Sequence, residues 1–206
     1  MKNLLLIQPK AVLKMLYPKA IWHYNRTEKT IYLSFDDGPI EGLTEWVLEE
    51  LEKVSAKATF FCVGANIVKN KHIFQRIVNE GHVVANHTMH HSKGFKTNIK
   101  DYLREVHACE ELLSNKIFRP PYGQLKLSQH KKLIEEGYKV VFWDVISYDY
   151  EKIRKEVVLK NVIKNTREGS IVLFHDNIKA EKNLKYALPL FLAHFTALGY
   201  RFETIY

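Results

Sequence analysis

The sequence predicts an α/β fold, a (β/α) barrel of about seven parallel strands. Two observations carry that expectation. Short β-branched and aromatic runs alternate with longer stretches of helical periodicity. Polar clusters rich in Asp, His and Arg fall just after the strand runs, where barrel enzymes assemble their sites from loops.

In chain order, strands are expected at residues 31–35, 58–63 and 82–86, around Phe118, and at 140–144, 170–174 and 202–205. Helices are expected at 44–54, 67–80, 99–113, 128–136, 153–166 and 183–198, with apolar spacings of three, as from Leu48 to Leu51, and four, as from Ile73 to Ile77. Gly81, Gly137, Gly169 and Gly199 stand where left-handed helix caps are expected, each leading into a strand. A doubly wound open sheet shares this rhythm, but the chain has no GxGxxG and no phosphate-loop glycine pattern.

The 206 residues suit one domain with a sizeable core, and 46% hydrophobic with 26% charged residues is ordinary for a globular protein. The net charge of +8 favours anionic surroundings. Basic and acidic residues are interspersed, however, as in Glu151 to Glu156, and no nucleic-acid motif with aromatic interleaving appears, so no nucleic-acid partner is expected. Cys62 and Cys109 have neither metal-ligand spacing nor a disulfide framework and read as packed thiols.

Residues 1–29 read as an N-terminal extension. The apolar run Leu4 to Ile7 is too short for a signal peptide or a membrane span. Residues 11–24 mix apolar and aromatic groups with Lys14, Lys19 and His23. They fit a helix packed across one end of the barrel, or a peripheral contact with a membrane surface. The expected location is cytoplasmic or at a membrane surface.

His87 and His91 have the i, i+4 spacing that on a helical turn directs both imidazoles to one side, with His90 as an i, i+3 alternative. With one carboxylate of the adjacent pair Asp36 and Asp37 they make a three-ligand set for a divalent metal. The other carboxylate would take a proton from water. Asp-Asp-Gly-Pro is by itself also a common turn. In Arg119-Pro120-Pro121-Tyr122-Gly123 the guanidinium can pair with a carboxylate, and the stiff loop can aim a backbone N–H at a developing oxyanion. His175 could protonate a leaving amine, with Asp149 holding its imidazolium. No GxSxG elbow, catalytic cysteine context or HExxH is present.

Ser34-Phe35-Asp36-Asp37-Gly38-Pro39, then His87-Thr88-Met89-His90-His91, then Arg119-Pro120-Pro121-Tyr122-Gly123, and finally Leu173-Phe174-His175, are similar to the motifs of the polysaccharide deacetylases of carbohydrate esterase family 4, the NodB homology domain. The resemblance covers residues 30–206, the expected catalytic domain, and keeps the family's motif order. It implies a distorted barrel of seven or eight βα units. It implies hydrolysis of N-acetyl groups on an amino-sugar polymer, peptidoglycan or chitin-like.

It also implies Asp36 as base, and Asp37, His87 and His91 as metal ligands, the metal being usually zinc, with cobalt, nickel or manganese also accepted. Arg119 would partner Asp36, the Tyr122 N–H would face the oxyanion, and His175 would be the acid tuned by Asp149. Tyr150, Leu173 and Pro121 are the expected substrate contacts. The fourth motif departs from the family's Asp-Ser-x-Asp-Trp: here it reads Ile146-Ser147-Tyr148-Asp149-Tyr150. Ile146 replaces an acid, Tyr150 replaces an indole, and Asp144 is the acid to examine as a substitute. A glycan-binding domain without catalysis and a two-histidine iron oxygenase are the alternatives. The first would lack catalytic residues that are present here. The second has its carboxylate elsewhere in the order and an all-β pattern.

Overall fold

A computed structural model of the chain describes residues 8, 9 and 11–206; the run Leu4 to Ile7 lies outside them. Eight strands among the described residues form one sheet: β1 (Thr30–Asp36), β2 (Thr59–Cys62), β3 (Val83–Asn86), β4 (Ile117–Phe118), β5 (Lys139–Val140), β6 (Val145–Ile146), β7 (Ile171–His175) and β8 (Arg201–Glu203). Every pairing is parallel, in the order β5-β4-β3-β2-β1-β7-β6. β8 lies against the first half of β1, where Ile31 faces Phe202, and β2 takes over along the second half, where Ser34 faces Thr59. The sheet is the distorted (β/α) barrel expected, with one short strand more than the expected count.

Strand alternation explains why a polar rim forms. Along β1, Ile31, Leu33 and Phe35 enter the core shared with the helices, whereas Tyr32, Ser34 and Asp36 alternate toward the barrel interior. β7 repeats the pattern: Val172 and Phe174 pack outward, while Ile171, Leu173 and His175 share the face of Tyr32, Ser34 and Asp36. Asp36 and His175 are register partners on adjacent strands. The outer core is closed by α2 (Leu43–Glu52), α4 (Lys71–Asn79), α7 (Lys155–Asn165) and α8 (Glu181–Ala197), through residues such as Leu48, Ile77, Val162 and Phe191.

Three expectations need correction. The single helix expected at 67–80 is two, α3 (Gly64–Lys69) and α4, because Asn70 leaves helical geometry (φ −119°, ψ 50°) and its Nδ2 donates to the Pro39 carbonyl at 2.9 Å. The strand expected at 140–144 is also two. β5 pairs with β4 and β6 with β7, at opposite edges of the sheet, so residues 141–144 cross the opening of the barrel. Gly81, Gly137 and Gly199 do follow helix ends with positive φ, but α7 already ends at Asn165. Gly169 (φ 69°) instead admits the N-terminal extension, since a Cβ there would lie 2.3 Å from the Asn25 carbonyl oxygen.

That extension is stitched into the opening of the barrel. Ile21 N donates to the Val140 carbonyl and Phe142 N to that of Ile21, both at 2.8 Å, and Trp22 stacks on Phe142 at 4.3 Å. The helix α1 (Ala11–Leu16) buries no residue and leaves Met15 78% exposed; Tyr17, Trp22 and Tyr24 do the packing. Among the described residues no helix is long and apolar enough to cross a membrane.

Candidate active site

The residues at the C-terminal strand ends surround a cavity of about 720 Å³ lined by Asp36, Asp37, His87, His91, Tyr150 and His175, among others. At its floor Arg119, a side chain without solvent exposure, fills the barrel interior with its guanidinium 3.9 Å over the Phe61 ring. Its Nη1 donates to Asp36 Oδ1 at 2.7 Å and to Ser34 Oγ at 2.9 Å, and its Nη2 to the Phe142 carbonyl. Burial draws the Arg119 pKa down while Asp36 opposes the shift.

Asp36 and Asp37 part at once. Asp36 turns inward to Arg119, whereas Asp37, with φ 87°, presents Oδ1 3.0 Å from His91 Nε2 and 3.6 Å from His87 Nε2. His87 Nδ1 lies 2.8 Å from the Arg119 carbonyl and must carry the proton there, which leaves Nε2 with a free lone pair. His91 Nδ1 lies 3.1 Å from the Tyr122 hydroxyl, which can donate or accept, and its Nε2 faces Asp37. Three donors thus converge within 4.8 Å of one another. Donors about 2.0–2.2 Å from a shared ion are spaced by little more than 3 Å in tetrahedral geometry, so the set fits a divalent metal. Burial pushes the Asp37 pKa upward, but the imidazoles of His87 and His91 beside it, positive when protonated in the metal-free site, prevail and hold it well below the usual carboxylate range.

The histidine pair does not sit on a helical turn. Thr88 (φ 63°) and His91 (φ 56°) are left-handed, and that bend brings the rings to 5.1 Å. His90 points away to Glu105, 3.0 Å from Oε1. Of the six non-glycine residues with positive φ among the described residues, Asp37, Thr88, His91, Tyr122 and Tyr148 lie on the site's loops. Such conformations cost about 1–3 kcal/mol each and persist where surrounding contacts enforce them. Around Asp37 those contacts come from Asn66 Nδ2 to its carbonyl at 2.7 Å, from Asn177 Nδ2 to its Oδ2, and from Asp176 Oδ1, which accepts from Gly38 N at 3.0 Å. Asp176 is fully buried, and burial raises its pKa to about 8.

On the other wall, Asp149 Oδ1 lies 2.8 Å from His175 Nδ1, and its Oδ2 accepts from His175 N at 2.8 Å. Burial lowers the His175 pKa, but the Asp149 charge outweighs it and raises it to about 9. Tyr150 packs edge-on to His175 at 4.6 Å, and Leu173 lines the cavity beside Ile146, its register partner. Pro121 does not line the cavity; it is buried in the turn that carries Tyr122. Asp144 does not substitute for the acid replaced by Ile146. It precedes β6 at the far end of the sheet, where it binds Arg26 at 2.9 Å and Ser170 at 2.7 Å. Trp143, Tyr148, Asn66 and Asn177 also line the cavity. Trp143, Asn66 and Asn177 lie between or beyond the motifs, and Tyr148 occupies the variable position of the fourth motif, so none was singled out.

Fold and rim together define a parallel (β/α) barrel protein with a candidate metal centre at its strand ends. The chain belongs to the polysaccharide deacetylase family, whose model matches residues 23–141. A peptidoglycan-N-acetylglucosamine deacetylase of Bacillus cereus is 37% identical over 158 residues, 74% of this chain; the chain spans 57% of that relative. A second from the same organism is 32% identical over 197 residues, covering 89% of this chain and 90% of the relative. Among solved structures, a peptidoglycan N-acetylglucosamine deacetylase superposes with a TM-score of 0.88 at 30% identity, covering 96% of this chain and 95% of the other. Bacillus subtilis PdaA, a family 4 carbohydrate esterase, gives 0.82 at 28% identity, covering 96% and 89%.

Proposed function

We propose that the chain is a metal-dependent hydrolase that removes acetyl groups from N-acetylglucosamine units of peptidoglycan. The observation that carries this reading is the pairing of Asp36 and His175 as register neighbours, lining the same cavity as the Asp37, His87 and His91 donor set. A divalent ion, zinc first and cobalt, nickel or manganese as alternatives, would be held by Asp37, His87 and His91 and would supply Lewis-acid polarisation and a more acidic water.

The chain's own residues do the rest. Asp36, held by Arg119, takes a proton from the attacking water as its oxygen bonds to the acetamide carbon. The Tyr122 backbone N–H faces the developing oxyanion. His175, protonated and held by Asp149, gives its proton to the nitrogen as the C–N bond breaks, which releases acetate and a free amine. Tyr150 and Leu173 enclose the acetyl methyl, and Pro121 acts from below by holding the Tyr122 turn. The two Bacillus cereus relatives, named for peptidoglycan N-acetylglucosamine, support the choice of polymer.

The test is acetate release from acetylated peptidoglycan and from chitooligosaccharides, with metal analysis of the same sample. Metal-dependent release is the expected result. Glycan binding without release, at any metal loading, would instead make the domain a binding module.

A further inference from the structure

We infer that Asn177 is a positioning residue that restricts Asp37 to ligation through a single oxygen. The inference rests on the metal reading above. The Asp37 carboxylate is divided between two tasks. Oδ1 faces both imidazoles, 3.0 Å from His91 Nε2 and 3.6 Å from His87 Nε2, while Oδ2 accepts from Asn177 Nδ2.

The orientation of the Asn177 amide is fixed by its other end, because its Oδ1 accepts from Ala180 N at 3.0 Å and the NH2 must therefore face Asp37. Asn66 holds the Asp37 main chain from the opposite side through the carbonyl, at 2.7 Å. Neither the backbone nor the carboxylate of Asp37 is then free to rotate. An untied Oδ2 could swing onto an ion held by the same three residues and fill a position that water or the acetamide oxygen needs. Asn177 stands two residues after His175 on the loop between β7 and α8, so the end of β7 supplies the proposed acid and the loop that follows it supplies this clamp.

The test uses Co2+ as the probe, titrated into metal-free protein against a competing chelator, with visible absorption recorded at saturation. Asn177→Ala is expected to weaken Co2+ binding by about 10- to 100-fold, the usual consequence of losing a partner behind a metal ligand. Its visible bands are expected to weaken, as they do when cobalt gains a ligand. Asn177→Asp keeps an acceptor for the Ala180 N–H but removes the donor to Asp37. It also sets a second carboxylate against Asp37 Oδ2, so the metal-free melting temperature should fall as pH rises through the carboxylate range, and the cobalt spectrum should still be altered. Wild-type affinity and spectrum in both variants would overturn the role of Asn177. A wild-type protein that binds no Co2+ would overturn the metal reading itself, and this inference with it.

Discussion

Arg119 reaches Asp36 from beneath, with Nη1 donating to Oδ1 at 2.7 Å inside a barrel that gives the guanidinium no contact with water. Ser34 Oγ and the Phe142 carbonyl accept its remaining Nη bonds. A buried charge of this kind is stable because its partner is present. Arg119→Met should therefore cost about 3–5 kcal/mol, the range for breaking a buried pair. Thermal denaturation should show a fall of roughly 2–4 °C per kcal/mol. Arg119→Lys retains the charge but loses the fork that spans Asp36, Ser34 and Phe142, and should recover only part of the loss.

Asp36 and His87 predict separable phenotypes. Asp36→Asn leaves Asp37, His87 and His91 intact, so bound metal should persist while acetate release falls by about 10²- to 10⁴-fold. His87→Ala should lose both. Metal content and turnover measured on the same preparations separate the two, and a fully active Asp36→Asn protein would remove Asp36 from the role of base.

Stability should fall with rising pH in two windows. Burial raises the Asp176 carboxyl to about 8, so the native state holds a proton that the unfolded chain releases near the ordinary Asp value of about 4. Stability is lost from there to about pH 8. For His175, burial lowers the pKa but Asp149 prevails, raising it to about 9, so its stabilisation is full below about pH 6.5 and disappears as pH passes 9. Urea denaturation of the metal-free protein across this range should show both windows. His175→Gln should flatten the upper one only; an unchanged slope above pH 7 would refute the His175 assignment.

Gly38 has no room for a side chain. An added Cβ would lie 2.0 Å from Asp176 Oδ2, on the carboxylate that accepts from Gly38 N and from the Thr44 hydroxyl. Gly38→Ala should cost about 1–3 kcal/mol by overpacking, read from urea denaturation. Metal affinity should fall with it, because the displaced turn carries Asp37.

By itself the sequence determined the parallel βα order, the placing of polar clusters at strand ends, and the motif residues of the rim. These are local properties, written in side-chain period and in residue type. Only the tertiary structure decided how those residues meet. Whether Lys139 to Ile146 is one strand or two depends on which sheet edge each half finds, and apolar content does not encode a partner. Asp144 stands near the fourth motif in sequence, yet it serves the N-terminal extension at the other end of the barrel, because crossing the opening reverses which end the chain faces. The His87–His91 pair meets through two left-handed residues rather than a helical turn. Asn177 joins the site only because β7 lies beside β1, so the turn after His175 faces the turn after Asp36. The identity of the candidate ligands was local information; their orientation came from strand pairing and barrel closure.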